Sequence, residues 1–427
     1  MAYLIITNGL DQGQLFELSA GPNVVGRDGE AAIQIALSAV SRQHACLNVL
    51  AETVTIQDLD SANGTFVNNT PLKQEVTLAD GDLIKIADLE LKFYARFSAV
   101  DSHSGTMELN NFRSTASIET LKARSILLRQ LRELFYDAGF DEVETPTLSA
   151  DTVVDRFLHP LKVEICGKPY WLQTSPEFGM KRLLASGMNS IFQVGRAFRD
   201  EEQGMLHNLE FTMVEWYRVG DTTEEAIQFL GKLATTLLPY NDYETITYRE
   251  AFQNFLSVDP LEIGEQELMN AIASLEFEIP QNWRAMGKDD WLDLLLTEFI
   301  QPRLGIGKPC ILSEYPSSQA ALARIHPDNP LVAERFELFV DGIELANGYH
   351  ELLDPDELHQ RNLKTNALRQ LDDRPALPVD SYLAEAMRYG LPDCCGVALG
   401  FDRLAMLALG KDSISEVLPF PLSLIHI

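Results

Sequence analysis

The chain has 427 residues, 46% of them apolar, and a formal net charge of −29, with 34 lysines and arginines against 63 aspartates and glutamates. This length and composition fit a globular protein of two or three domains. The acidic balance argues against extended binding to a nucleic-acid backbone. No apolar run is long enough to predict a membrane-spanning helix.

The five cysteines are an odd number, and none has the spacing of a CxxC pair or of a cysteine–histidine metal site. This pattern is typical of a reducing compartment. The first residues show no basic segment followed by a small-residue cleavage site. We therefore expect a cytoplasmic protein without structural disulfides.

Residues 1–97 predict an all-β sandwich. Polar and apolar residues alternate in Thr53–Gln57 and in Leu83–Ile86, as in half-buried strands. Turn-forming aspartate, asparagine and glycine residues separate these runs. Many short strands at such spacing favour two packed sheets.

Four short signatures follow one another in this first domain: Gly-Arg ending at Arg27, Ser-Arg-Gln-His beginning at Ser41, Asn-Gly beginning at Asn63, and Asn68. Two guanidinium groups, a hydroxyl and an amide are the donors that a dianionic phosphate requires. The set resembles the forkhead-associated (FHA) domains, which bind phosphothreonine. The resemblance implies a phosphopeptide site formed by four residues: Arg27, Ser41, Arg42 and Asn63. The resemblance also implies that His44 and Gly64 support the loops. Ala62 occupies a position where many members have a further hydrogen-bond donor.

Residues 98–116 are polar, rich in serine and asparagine, and without periodicity, which predicts a linker. The third segment, 117–427, begins with an amphipathic helix from about Ile118, ended by Gly139. A short strand ending at Pro146 follows. Beyond it, strands and helices alternate, which predicts an α+β domain.

A predicted hairpin carries the sharpest signal in this segment. One strand runs through Phe192–Arg199, and the other returns through Glu210–Tyr217. On the return strand, alternate residues from Phe211 share one face. An arginine at position 199 can bridge a carboxylate and an α-phosphate, an aromatic ring can stack on adenine, and Glu215 can pair with a substrate ammonium group.

A third motif, Gly396–Leu404, places small residues before an arginine and an apolar helix, so that backbone can approach a nucleotide while Arg403 holds the γ-phosphate. Upstream, Glu344 and Glu351 flank an Asn-Gly pair that we expect to break the strand. The two carboxylates are candidate ligands for a Mg²⁺ ion that bridges ATP phosphates.

The helix–strand–proline segment, the hairpin and the glycine-rich strand resemble, in that order, motifs 1, 2 and 3 of the class II aminoacyl-tRNA synthetases. The resemblance covers about residues 117–420 and is closest to the lysyl-tRNA synthetase core. It implies an antiparallel sheet flanked by helices, ATP and Mg²⁺ as cofactors, and a homodimer formed through motif 1. The anticodon-reading domain of complete lysyl-tRNA synthetases is replaced here by the FHA-like domain and the linker.

Three stretches, beginning at Thr174, Tyr315 and Pro392, are more similar to the elongation factor P lysyltransferases, which activate (R)-β-lysine or lysine and transfer it to a lysine of elongation factor P. The family's catalytic residues map onto Arg199, Glu201 and Arg403. Its amino-acid contacts map onto Ser175, Pro176, Glu177, Glu215, Tyr217, Glu351 and Ala398. Its ATP contacts map onto Arg199, Asp200, Glu201, His207, Asn208, Phe211, Glu344, Leu345, Gly400 and Arg403.

Two positions depart from that family's pattern: Leu209 replaces a proline in the motif 2 loop, and Cys395 replaces a serine. Two alternatives stay open: a relative of lysyl-tRNA synthetase that charges tRNA, and an inactive adaptor protein. The retained arginines and glutamates of the motifs favour activity.

Overall fold

The computed structural model describes residues 2–7, 15–28, 31–35, 37, 39–50, 53–68, 70–87, 89–95, 114–201, 204–273 and 287–421. The chain divides into two compact units, 1–111 and 112–427. Most of the predicted linker, up to residue 113, lies outside the described residues. None of the described helices is long and apolar enough to cross a membrane.

The first unit is a β-sandwich, as predicted. Its strands are β1 (Ala2–Ile6), β2 (Leu15–Leu18), β3 (Gly21–Gly26), β4 (Ile33–Gln34), β5 (Ala45–Leu50), β6 (Thr53–Asp58), β7 (Thr65–Val67), β8 (Thr70–Pro71), β9 (Val76–Thr77), β10 (Leu83–Ile86) and β11 (Leu89–Ala95). One sheet has the order β2-β1-β11-β10-β7-β8 and the other β4-β3-β5-β6-β9. Alternate residues of both sheets, such as Phe93 and Leu47, form one buried core.

The second unit is built on an eight-stranded sheet of order β12-β16-β17-β22-β21-β20-β19-β18. Its strands are β12 (Asp141–Glu142), β16 (Ser190–Phe198), β17 (Glu210–Val219), β18 (Glu244–Thr247), β19 (Cys310–Pro316), β20 (Val332–Val340), β21 (Ile343–His350) and β22 (Cys394–Gly400). The strands from β16 to β19 in that order pair antiparallel. Strands β13 (Leu148–Ser149), β14 (Lys162–Ile165) and β15 (Lys168–Leu172) form a small second sheet.

Helices cover this sheet, which confirms the α+β class. They are α1 (Ile118–Asp137), α2 (Glu177–Ala185), α3 (Thr223–Leu237), α4 (Tyr248–Leu256), α5 (Glu265–Ala273), α6 (Lys288–Leu295), α7 (Pro355–Leu371), α8 (Tyr382–Gly390) and α9 (Phe401–Ala408). Helix α1 begins where the Ser117 side chain accepts a hydrogen bond from Thr120 N. It ends just before Gly139, whose φ is +82°. Leu131 and Phe135 of α1 are fully buried.

Strand β21 differs from the prediction. Asn347 and Gly348 do not break it, because both pair with residues of β20 and β22. The irregularity lies at Leu345: Leu338 pairs with Ala346, whereas the next residue, Phe339, pairs with Glu344. This bulge adds one residue to β21, so that Glu344 and Glu351, seven positions apart, both line the same cavity. A Cβ on Gly348 would lie 2.4 Å from the Phe336 ring, so the glycine permits close packing rather than a turn.

Candidate active site

A cavity of about 1740 Å³ opens on the face of the large sheet formed by β17, β20, β21 and β22. The four alternate residues predicted to share one face of β17 all line it: Phe211, Met213, Glu215 and Tyr217. The remaining face of β17 packs into the core through Val214 and Trp216. Alternation along one strand therefore separates the residues that line the cavity from those that pack in the core.

Glu215 is at the centre of a buried hydrogen-bond network in this cavity. Ser175 Oγ donates to Glu215 Oε2 at 2.6 Å, and Tyr217 Oη donates to Glu215 Oε1 at 2.6 Å. Ser175 Oγ in turn accepts a 3.0 Å bond from the Glu177 backbone N–H. The carboxylate is thereby held in one orientation by two donors from different elements.

A buried ion-pair triad lies beside this network. Lys181 Nζ is 2.5 Å from Glu177 Oε1, one turn back on α2, and 2.5 Å from Glu351 Oε2, which follows β21. The Lys181 side chain is 2% exposed and that of Glu351 is 1% exposed. Three carboxylates thus share this end of the cavity with one ammonium group.

Burial and like charge act together on the acids of this cluster. Burial, with the charge of Glu177 adding to it, raises the pKa of Glu215 to about 7. Burial also raises the pKa of Glu351, although Lys181 opposes the shift. The pKa of Tyr217 lies well above its usual range because the phenol is buried next to Glu215. The cluster is therefore an environment that favours an added cation.

The other end of the cavity carries arginines and an aromatic ring. Arg199 lies over the Phe211 ring, with its Cζ 5.0 Å from the ring centroid. Arg403, in the first turn of α9, donates from Nη1 to the Glu344 carbonyl at 2.9 Å. Its Nη2 lies 2.5 Å from His207 Nε2. Guanidinium groups beside an aromatic ring suit a nucleotide's phosphates and base.

The two glutamates predicted as a magnesium pair have separate cationic neighbours in the structure. The Glu351 carboxylate contacts Lys181, whereas Glu344 interacts with Arg403, Arg335 and Arg199. Burial, with the charge of Glu337 adding to it, raises the pKa of Glu344. No cluster of three or more metal-binding side chains occurs within the described ranges. Their role as a magnesium pair stays a prediction.

The cavity brings together most of the predicted residues. Those that line it are Ser175, Glu177, Arg199, His207, Asn208, Phe211, Glu215, Tyr217, Glu344, Leu345, Glu351, Ala398, Gly400 and Arg403. Pro176, Asp200 and Glu201 are not among its lining residues. Glu201 instead forms two 2.6 Å hydrogen bonds with Arg374, which lies just after α7. The backbone φ of Glu201 is +65°.

Sequence reasoning missed four groups in and around the cavity. Lys181 is one of them, although its position four residues after Glu177 on a helix was a usable signal. Arg335 and Glu337 are alternate residues of β20, joined by a 2.6 Å hydrogen bond. Asn347 is the fourth, and its Oδ1 is buried without a hydrogen-bond donor among the described residues. A buried acceptor of this kind suits a ligand that donates hydrogen bonds.

The predicted phosphopeptide residues lie on loops of the first unit that hydrogen bonds join together. The Arg27 N–H donates to the Ser41 carbonyl at 3.0 Å, and the Ala62 N–H donates to Ser41 Oγ at 3.0 Å. Asn63 Nδ2 donates to the Ala39 carbonyl at 2.7 Å. The Arg27 and Arg42 side chains are exposed. The loops after β3, β4 and β6 therefore present two cationic side chains on one end of the sandwich.

His44 joins two of these loops through hydrogen bonds of its buried ring. Its Nδ1 accepts a 3.1 Å hydrogen bond from the Ser41 N–H, and its Nε2 lies 3.1 Å from the Gly64 carbonyl. The ring is fully buried. Gly64 has a φ of +75°, a conformation that favours glycine at this turn.

Comparison with known proteins agrees with both units. The family of class II tRNA synthetases (D, K and N) matches residues 106–423, and the FHA domain family matches residues 23–87. An elongation factor P–(R)-beta-lysine ligase of Vibrio cholerae is 46% identical over 324 residues, which are 74% of this chain and 99% of that protein. Proteins of the same name from Yersinia enterocolitica and Salmonella gallinarum are each 41% identical, over 98% of their length and over 74% and 73% of this chain. The chain therefore belongs to the class II tRNA synthetase (D, K and N) family and, within it, to the elongation factor P–(R)-beta-lysine ligase family of enzymes, joined here to an FHA domain.

Proposed function

We propose that the second unit uses ATP to activate (R)-β-lysine, or lysine, as an aminoacyl-adenylate and transfers the acyl group to a lysine side chain of elongation factor P. The observation that carries this proposal is the surplus of buried carboxylate at one end of the cavity, opposite the arginines at the other. A diamino acid has two ammonium groups for the first end and a carboxylate for the second.

The arginine end supplies the groups for the activation step. Arg199 bridges the substrate carboxylate and the α-phosphate, while Phe211 stacks on adenine and Arg403 binds the terminal phosphates. The carboxylate oxygen attacks the α-phosphorus, and pyrophosphate leaves. Arginines held in place before the reaction stabilise the charge that develops on the phosphorus oxygens.

Glu344 would hold a Mg²⁺ ion in this proposal, and the ion would neutralise phosphate charge when ATP is bound. The carboxylate faces the arginine end, where the phosphates bind, and its burial makes a cation favourable. We assign Glu351 to the amino-acid end of the cavity instead, because Lys181 already lies against its carboxylate.

The decisive measurement is the intact mass of elongation factor P after incubation with the chain, ATP and either lysine isomer. We expect the mass of one lysyl group to be added, and the Arg199→Ala variant to add none. An unchanged mass with both isomers, together with charging of tRNA, would overturn the proposed acceptor. Amino-acid-dependent pyrophosphate exchange separates an active enzyme from an inactive adaptor.

We further propose that the first unit binds a phosphothreonine peptide through Arg27, Ser41, Arg42 and Asn63. The exposure of both guanidinium groups at the edge of hydrogen-bonded loops supports this proposal. Fluorescence anisotropy with a phosphothreonine peptide tests it. Arg27→Ala should lower the affinity at least about tenfold, whereas Lys92→Ala, which removes one positive charge from strand β11, should not. Equal binding of the unphosphorylated peptide would contradict the assignment.

We also infer that the enzyme is a homodimer that contacts its second copy through α1. Ile118 and Ile126 of that helix are 57% and 55% exposed, and Tyr136 is 51% exposed. Apolar side chains of this size on one helix favour a partner surface. Light scattering coupled to size exclusion checks the mass, and Ile126→Glu should shift it to that of the monomer.

A further inference from the structure

The buried lysine in the acidic end of the cavity is assigned no role by the proposed reaction. Lys181 is on α2, which also carries Glu177, and it reaches across to Glu351 after β21. Its ammonium group is also 5.9 Å from the centroid of the Tyr217 ring. A fully buried lysine costs free energy unless its charge is compensated. Here two carboxylates compensate it, and both belong to the set that faces the substrate.

The cluster has a definite charge when its acids are ionised. Glu177, Glu215 and Glu351 contribute three negative charges, and Lys181 contributes one positive charge. Ser175 and Tyr217 add neutral hydroxyl groups that hydrogen-bond to Glu215. The remaining charge of two matches the two ammonium groups of a diamino acid.

We propose that Lys181 is a specificity-determining residue that acts as a built-in counter-ion: it sets the charge of the amino-acid subsite and holds Glu177 and Glu351 in position. This inference rests on the proposed diamino-acid substrate. Lys181 acts through the two carboxylates, so it is a positioning residue rather than a catalytic one. Without the lysine, three carboxylates repel one another at close range and move away from the positions that bind ammonium groups.

This role predicts that Lys181→Met changes KM for the diamino acid in opposite directions in the native chain and in the Glu351→Gln chain. In the native chain, Lys181→Met leaves three unbalanced carboxylates, and we expect KM for the diamino acid to rise at least about tenfold. In a Glu351→Gln chain, the lysine is one positive charge too many for a doubly charged ligand. Adding Lys181→Met there restores the balance, and KM should fall at least about threefold relative to Glu351→Gln alone.

The test is amino-acid-dependent pyrophosphate exchange by the full chain, with KM for the amino acid and KM for ATP measured separately. The four proteins are the native chain, Lys181→Met, Glu351→Gln and the double variant, and thermal unfolding checks that each is folded. Arg182→Met is the matched control, since it removes the neighbouring positive charge, which is exposed and lies over Tyr382. We expect KM for ATP to change less than about twofold throughout, because the arginine end is untouched.

A purely structural role for Lys181 would raise KM, or lower kcat, in both backgrounds, and that result would overturn the inference. An unchanged KM for the amino acid in Lys181→Met would also overturn it. If Lys181→Met does not fold, the comparison of Glu351→Gln with the double variant decides alone, since neither leaves three unbalanced carboxylates. Failure of the native chain to catalyse any exchange would instead reject the proposed function, so the two failures are distinguishable.

Discussion

Tyr217 and Glu215 are two residues apart on the same strand, and the phenol donates a 2.6 Å hydrogen bond to the carboxylate inside the cavity. Alternate residues of a strand share one face, so the phenol and the carboxylate are neighbours. Ser175 Oγ donates a hydrogen bond to the second carboxylate oxygen. Both oxygens of the acid therefore accept hydrogen bonds, which hold the carboxylate in one orientation.

We predict that kcat/KM for the amino acid rises with pH through about 7, the value to which burial raises the pKa of Glu215. Below that pH the carboxyl group is protonated and binds an ammonium group poorly. Glu215→Gln should reduce this rise and lower kcat/KM at pH 8 at least about tenfold. Steady-state pyrophosphate exchange across the pH range measures both effects.

Glu210→Gln is the matched control, since Glu210 is on the same strand and its side chain is 39% exposed beside Arg196. It should leave the pH profile unchanged.

The contribution of Glu215 to stability should change in the opposite direction to kcat/KM as the pH rises. A carboxyl group whose folded-state pKa is raised destabilises the folded state once it ionises. The melting temperature of Glu215→Gln should therefore rise relative to that of the native chain as the pH increases from 4.5 to 7. A pH-independent difference in melting temperature would contradict the assigned cause.

Gly396→Ala should disable the amino-acid subsite. A Cβ at this position would lie 2.2 Å from Tyr217 Cε1 and 2.5 Å from Glu351 Oε1, so both side chains must move. We expect KM for the amino acid to rise about tenfold or more, because misplaced binding groups lose their hydrogen bonds. Gly264→Ala is the control, since no atom lies within 4 Å of its added Cβ. Equal KM values for the two variants would show that the cavity tolerates the methyl group.

Asp402→Ala should destabilise the second unit. The Asp402 side chain is 4% exposed, contacts Arg124 of α1 at 2.5 Å and accepts a 2.9 Å hydrogen bond from the Thr212 N–H. Removing one member of a buried ion pair costs about 3–5 kcal/mol. Thermal or denaturant unfolding of the second unit measures the loss.

The exposed pair Glu385–Arg388 provides the comparison for that loss, with side chains 73% and 49% exposed. Glu385→Ala should cost no more than about 1 kcal/mol. Because Asp402 precedes Arg403 in α9, Asp402→Ala should also raise KM for ATP. A folded variant with native stability would refute the role of the Arg124 contact.

His44→Ala should weaken peptide binding by the first unit without removing a phosphate contact. The imidazole ring joins the Ser41 and Gly64 loops from a buried position. Its loss removes hydrogen bonds from two half-buried backbone groups, at a cost of at most about 1–3 kcal/mol each. Amide hydrogen exchange should show faster exchange in both loops, and anisotropy should show weaker peptide binding. Unchanged peptide binding together with faster amide exchange would contradict the prediction, because it would show that recognition does not need the loop support of His44.

Local patterns were sufficient for much of the fold and part of the site. Alternation along Glu210–Tyr217 correctly assigned one face of β17 to the cavity, because side chains of a strand alternate whatever packs against them. The end of α1 followed from Gly139, whose effect is confined to neighbouring backbone groups. The turn signals of the first unit likewise indicated a sandwich.

Tertiary structure alone decided the remaining features. The contact between Lys181 and Glu351 joins residues far apart in sequence, and it exists because α2 packs beside the sheet. The bulge at Leu345 depends on how β21 pairs with β20, so strand spacing could not show that two glutamates seven residues apart share a face. Glu201, which we expected at the nucleotide, is not among the lining residues, and its carboxylate pairs with Arg374, which does line the cavity. The sequence by itself determined which chemical groups are present, whereas the register of the sheet and the packing of α2 decided which of them share a site, because both depend on contacts between distant parts of the chain.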